Sequence, residues 1–149
     1  MATQSRSMTI ETPARQEFFD VTPDFEQFIE ASGIADGIAV AFTQHTSCCI
    51  LLQDTLNVLA KIAPPTRNEG QYLHPGPIHI RNAAELRGEH PSWGLNTDGH
   101  IISSILGRSE VVPVAAGRAL LGEFGRVYFG DLDSVRARTR TVIFQLIGT

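Results

Sequence analysis

No stretch of this chain approaches the roughly 18 consecutive apolar residues that would carry a helix across a bilayer. Met1 to Ser7 is polar and lacks the apolar centre of a secretory signal, so a cytoplasmic chain without a membrane partner is expected. Cysteine is scarce: only Cys48 and Cys49 occur. Neighbours on a strand point to opposite faces, so a bridge between these two would be strained, and a disulfide scaffold is not expected. Positive charge is not in excess, because 12 Lys and Arg stand against 16 Asp and Glu, a net −4 that argues against nucleic acid as the partner. Only 8 prolines, with 42% hydrophobic and 19% charged residues, exclude a collagenous, low-complexity or wholly disordered chain. No internal repeat is visible.

A chain of 149 residues folds to a surface of roughly 7,500 Å² from about 24,000 Å² unfolded, enough burial for one core. A single domain over residues 1–149 is expected, with 1–6 flexible. Met8-Thr9-Ile10 and Glu17-Phe18-Phe19 suggest an opening hairpin around Pro13-Ala14. Thr22 is placed to cap a first helix, with Pro23 at its start, Phe25, Phe28 and Ile29 as its apolar stripe and Gly33 as its stop. Gly37 to Thr43 and Cys48 to Leu52 read as strands joined by the polar Gln44-His45-Thr46-Ser47, and a second helix is expected from about Thr55 to Ile62.

Pro64 to Trp93 then gathers five of the eight prolines and three of the five histidines. It reads as a long functional loop or insertion over 64–95. Asn96 is placed to cap a third helix with Ile101, Ile102, Ile105 and Leu106 on its buried side and Gly107 at its end. Glu110 to Val114, Ala119 to Phe129 and Arg136 to Ile147 complete the pattern as strands. Strands with about three helices predict an α+β fold around a mixed or antiparallel sheet.

The five histidines, at 45, 74, 79, 90 and 100, form no close-spaced ligand signature, so any metal site must be assembled by the fold. His45 leaves an apolar strand beside the hydroxyls of Thr46 and Ser47 and ahead of Asp54; it is either a site residue or an imidazole bonded to a turn. His74 and His79 sit in a proline-restricted segment. His100, near a helix start, lies where the dipole favours the neutral, metal-binding imidazole, or is simply solvated. A thiol of Cys48 or Cys49 activated by His45 is conceivable, although buried cysteine is common and inert. Arg136, Arg138 and Arg140 share one face by period two, which suits a phosphate or carboxylate held by guanidinium forks, or else a solvated strand edge.

Gln44-His45-Thr46-Ser47, the run from Asn96 to Gly107, Val112-Pro113-Val114, Gly117, Leu121-Gly122 and Asp133 with Arg136 and Arg138 together resemble the YjbQ-type family, named for secondary thiamine-phosphate synthase activity. The resemblance extends from about Ile34 to Gly148. It implies a small α+β protein forming homotrimers, with a site near subunit junctions, and it carries His45 and His100 into a metal site. The family's third histidine follows a Gly-x-Tyr-x-His pattern, matched by Gly70-Gln71-Tyr72-Leu73-His74, and stands about eleven residues before the last. Here 100 − 74 = 26 and 100 − 90 = 10, so His74 matches in letters and His90 in spacing. Asp54 replaces the family's glutamate and Asn57 its aspartate; Glu123-Phe124-Gly125 and Ser134-Val135 also depart from its pattern.

Two functions follow as expectations. One is a trimeric metal-assisted enzyme acting on a phosphorylated small molecule, with a capacity for thiamine-phosphate formation implied by the resemblance. His45, His74 and His100 would hold a divalent ion, zinc being the first candidate. Thr46, Ser47, Arg136 and Arg138 would bind the substrate, and Asp54 would act as base or orient a histidine. The other is a non-catalytic metal- or ligand-binding trimer whose histidines stabilise the junction.

Overall fold

A computed structural model describes residues 1–52 and 62–149. The predicted helix from Thr55, together with Asp54 and Asn57, lies outside the described residues. Strands β1 (Ala2–Thr12), β3 (Gly37–Phe42), β5 (Ser109–Ala115), β6 (Arg118–Ala119) and β8 (Arg138–Gly148) form a five-stranded antiparallel sheet in the order β1-β8-β3-β5-β6. Strands β2 (Glu17–Asp20), β7 (Tyr128–Asp131) and β4 (Cys48–Leu51) form a second sheet in the order β2-β7-β4. Helices α1 (Thr22–Ser32), α2 (Pro77–Arg87) and α3 (Thr97–Leu106) complete the described elements, with a short 3-10 turn at Pro91–Gly94.

Period-two burial explains the layering. Ala39, Ala41, Val112, Val114, Val142, Phe144 and Leu146 turn inward from the five-stranded sheet. They meet Phe25, Phe28 and Ile29 of α1 and Ile50 and Phe129 of the smaller sheet in one core. Phe144 is its pivot, with ring centroids 5.2 Å from Phe25 and 5.9 Å from Phe28. The opposite face of the smaller sheet carries Cys49 and Leu51, which pack with Ile102 of α3 and Leu132 in a second cluster. Between these clusters Gly130 is required: a Cβ there would stand 2.7 Å from both Cys49 Sγ and Phe18 Cε1.

The apolar stripe of α1 is buried as its spacing predicts, and Gly33 ends the helix in the left-handed conformation at φ 69°. Its start differs. Thr22 is the first helical residue, not the cap, and its hydroxyl accepts from the Val127 amide at 2.8 Å, tying α1 to the loop before β7. The expected opening hairpin is also absent. β1 runs the full length of β8, from Ala2 beside Gly148 to Thr12 beside Arg138, whereas β2 joins the other sheet against β7. Of the first six residues, expected to be flexible, Ala2 to Arg6 are therefore paired. Ala119 to Phe129 is not one strand but the ends of β6 and β7 with an irregular connection, and 64–95 contains α2 and the 3-10 turn instead of loop alone.

The outer face of the large sheet has an unusual composition. Ile38, Val111, Leu120 and Ile147 are exposed there or beside it, and Val40, Phe42 and Ile143 are half-buried in the same rows. Among the described residues, no helix is long and apolar enough to cross a membrane.

Candidate functional site

The polar end of the two-sheet sandwich is organised by two fully buried carboxylates, Asp131 at the end of β7 and Asp133 just beyond it. Asp131 takes a two-pronged contact from Arg140, with Nε at 2.8 Å and Nη2 at 2.9 Å. It also accepts from the Thr12 hydroxyl at 2.6 Å and from the Asp133 amide at 3.0 Å, and Cys48 Sγ donates to it across 3.6 Å. Asp133 accepts from Arg138 Nη2 at 2.7 Å and Asn96 Nδ2 at 3.0 Å. Burial by itself would raise the carboxyl pKa of Asp131, but the hydrogen bonds from Arg140, Thr12 and Asp133 more than offset it and hold the group below the usual aspartate range.

Above these carboxylates opens a polar cleft of about 380 Å³ lined by Gln44, His45, Thr46, Ser47, Arg87, Glu89, Trp93, Asn96, His100, Arg136, Arg138 and Arg140. The expected substrate-binding residues Thr46, Ser47, Arg136 and Arg138 thus converge with His45 and His100. The arginine face is not a solvated strand edge. Arg140 is buried, and Arg136 and Arg138 keep about a quarter of their side chains exposed at 27% and 24%. Among the described residues, Arg136 Nε and Arg138 Nε are buried donors without a hydrogen-bond partner. A larger depression, about 640 Å³ between α1 and the β5–β6 turn, has Glu26, Glu30 and Arg118 as its charged groups and no histidine. The smaller cleft is the chemically equipped one.

The imidazoles differ in what they offer. His100 Nδ1 donates to the Thr46 carbonyl at 2.9 Å, which fixes the tautomer and leaves the Nε2 lone pair available. His45 Nε2 accepts from the Thr141 amide at 3.1 Å, so neutral His45 presents an Nδ1–H donor. Burial lowers the His45 pKa, and the Arg140 charge lowers it further. His74 lies with its ring centroid 6.0 Å from His100 and 5.0 Å from His79. Its pKa is lowered by burial and by those two neighbours, which favours the neutral, ligating form. His90, by contrast, caps the 3-10 turn and holds Ser92 Oγ at 2.7 Å.

The expected ligands His45, His74 and His100 differ in the lone pairs they leave free. His74 and His100 fit ligation of a shared ion, whereas the lone pair of His45 is engaged. No group of three or more His, Cys, Asp or Glu side chains able to hold an ion is gathered among the described residues. Thiol catalysis is disfavoured. Cys48 and Cys49 are both fully buried, and desolvation pushes their pKa values up, that of Cys49 to about 12.

Trp93, Glu89 and Arg87 were not singled out from sequence, nor was the partnership of Asp131 with Arg140. A signal existed for that last pair: period two turns Arg140 inward with Val142 and Phe144, and an inward arginine requires a buried carboxylate. Replacing Asp131 by Asn leaves that guanidinium buried without its counter-charge, so the variant should lose about 3–5 kcal/mol in urea unfolding. Because the folded pKa of Asp131 is depressed, its contribution is complete above the ordinary aspartate range and is lost as pH falls through the folded value. The acid limb of stability below about pH 4 should therefore be shallower in Asp131→Asn, and an unchanged limb would contradict the assignment.

Comparison with known proteins agrees over nearly the whole chain. Residues 6–149 match the family described as UPF0047 protein YjbQ-like. A UPF0047 protein of Archaeoglobus fulgidus is 28% identical over 148 residues, covering 94% of this chain and 98% of that protein. UPF0047 protein YugU of Bacillus subtilis is 29% identical over 143 residues, covering 96% and 98%. Among solved structures, a YbjQ-like protein of unknown function from Sulfolobus solfataricus superposes with a TM-score of 0.79 at 22% identity, covering 99% of both chains. A hypothetical protein from Aeropyrum pernix gives 0.76 at 24% identity, covering 98% and 99%. With the same α+β architecture and a match across almost its full length, this chain belongs to the YjbQ/UPF0047 family.

Proposed function

We propose that the cleft binds the phosphate of a phosphorylated small molecule and is the site of a metal-assisted reaction upon it. The observation that carries this reading is the pair of buried donors, Arg136 Nε and Arg138 Nε, that have no partner among the described residues, in a cleft where four arginines meet three carboxylates. A buried donor left unpaired costs roughly 1–3 kcal/mol, and an anionic oxygen removes that cost. The His45 Nδ1–H adds a further donor for phosphate, while His100 Nε2 is placed to take a proton or to ligate an ion. A divalent ion, zinc being the first candidate, would polarise a phosphate oxygen or water. The thiamine-phosphate activity implied by the family resemblance belongs to this reading, since there the nitrogen of a thiazole phosphate displaces pyrophosphate from a pyrimidine methyl diphosphate, and both reactants carry phosphate groups.

The apolar outer face of the large sheet supports self-association, and the family resemblance makes a homotrimer the expected assembly. Exposed Ile38, Val111 and Ile147 would lie between subunits.

Four measurements test these statements. Inorganic phosphate should bind the wild-type chain in calorimetry, with affinity at least tenfold weaker in Arg138→Gln and in Arg136→Gln; no binding, or equal affinity in all three, would refute the phosphate reading. An assay with the pyrimidine methyl diphosphate and thiazole phosphate, metal present, then decides whether thiamine-phosphate formation accompanies binding. Untagged protein should carry about one divalent ion per chain, lost in His74→Ala and His100→Ala and kept in His90→Ala. His45→Ala should also keep it, because the His45 lone pair is taken by the Thr141 amide in the native chain, and loss there would contradict the assignment of His74 and His100 as the ligands. Light scattering should return about three times 16.3 kDa, and Val111→Glu should shift the protein toward monomer; a monomeric wild type would contradict the trimer.

A further inference from the structure

We propose that Glu89 is a specificity-determining residue that occupies the outer anion position of the cleft and is displaced by a dianionic ligand. This rests on the phosphate reading above and deepens it by assigning a residue that selects for ligand charge. Each carboxylate oxygen of Glu89 faces a different arginine: Oε1 lies 3.8 Å from Arg136 Nη2 and Oε2 lies 3.8 Å from Arg87 Nη2. Both distances exceed the 2.7–2.9 Å of a charge-assisted hydrogen bond. Deeper in the cleft, by contrast, Asp131 and Asp133 hold Arg140 and Arg138 at 2.8 Å and 2.7 Å. The inner carboxylates are structural partners, whereas Glu89 bridges its two arginines loosely.

The receiving group stays in place without Glu89. The Arg136 guanidinium carbon stacks 3.9 Å from the centre of the Trp93 ring, a contact that fixes its plane. Its Nε is already buried and has no partner among the described residues. Glu89 can leave at little cost to the fold. It follows Gly88, which ends α2 at φ 63°, and its own amide is anchored on the Ala83 carbonyl at 3.1 Å. The backbone is therefore held while the side chain, 29% exposed, has solvent to turn into.

Displacement makes the site count charge. A monoanion entering between Arg87 and Arg136 replaces one negative charge with another and gains little. A phosphate dianion brings a second charge and additional oxygens, enough to meet both guanidiniums and the orphan Nε together.

The test uses the full-length chain and its single tryptophan, Trp93, whose emission reports on the stacked guanidinium. Wild type, Glu89→Gln and Glu85→Gln are titrated with inorganic phosphate at pH 8 and, separately, with nitrate. Glu85→Gln removes a like charge from the exposed helix α2, just before Glu89, without touching the cleft lining. Glu89→Gln should bind phosphate about tenfold tighter than wild type and bind nitrate measurably, while Glu85→Gln matches wild type. Phosphate affinity equal to or weaker than wild type in Glu89→Gln, or an equal gain in Glu85→Gln, would overturn the role of Glu89 and leave the phosphate reading standing. Phosphate binding by none of the three proteins would overturn both. Binding by Glu89→Gln alone would support both, with Glu89 blocking the position more firmly.

Discussion

The bidentate contact between Arg140 and Asp131 is the constraint on which the rest depends. It joins β8 of the large sheet to β7 of the small one at the end of the sandwich where the apolar core runs out. Thr12 of β1 and Cys48 of β4 complete the shell around the same carboxylate. Elements far apart in sequence therefore converge on one buried charge. Such a pair gains little over a well-packed apolar substitute, but losing either partner is costly, because the survivor is left charged in a medium of low dielectric. Its consequence is geometric: the two sheets cannot slide at this end without unpairing a charge.

That constraint also explains where the cleft lies. Arg140 sets the height of the inner wall, and its Nη2 reaches Ser47 Oγ at 3.2 Å, holding the turn that carries His45. Asp133 repeats the arrangement one step outward, fixing Arg138 and the Asn96 side chain that precedes α3. His100 sits on the first turn of that helix and bonds back to Thr46. The turn, the helix start and the arginine face are thus linked through two carboxylates. Positions held by buried groups are what a binding site needs if its donors are to meet a ligand without reorganising.

Much of the fold was legible where local pattern and tertiary burial agree. The stripe of Phe25, Phe28 and Ile29, the stop at Gly33 and the strands around Gly37 and Glu110 all follow from periodicity and backbone preference. The opening hairpin failed because Pro13-Ala14 marks a change of sheet, not a reversal within one, and turn chemistry does not distinguish them. Asn96 does precede α3 at the cap position, but its side chain bonds Asp133 instead of the helix amides, and Thr22 lies one residue inside α1 with its hydroxyl on Val127; sequence neighbours reveal neither distant contact. Helix α2 was missed because it has no buried residue and so no apolar stripe of the kind that identifies a helix against a core. At the site, the grouping of His45, Thr46, Ser47, His100 and the arginines was readable from polar residues interrupting apolar strands. Arg87, Glu89 and Trp93 were not, since they reach the cleft only through the path of the 77–94 segment.

The cleft therefore has two walls of different physical character. The inner wall is built from strands, with its arginines locked on buried carboxylates, and changing it disturbs the join between the sheets. The outer wall comes from α2 and the 3-10 turn, which contact each other more than they contact the core. Substitutions there cost little stability, because no large apolar side chain of that helix is buried. On the phosphate reading proposed above, the inner wall fixes where an anion would sit, and the outer wall could alter which anion is accepted without endangering the fold. On that reading, a change of ligand choice should arise most readily between Pro77 and Gly94, the segment that carries Arg87, Glu89 and Trp93 to the cleft.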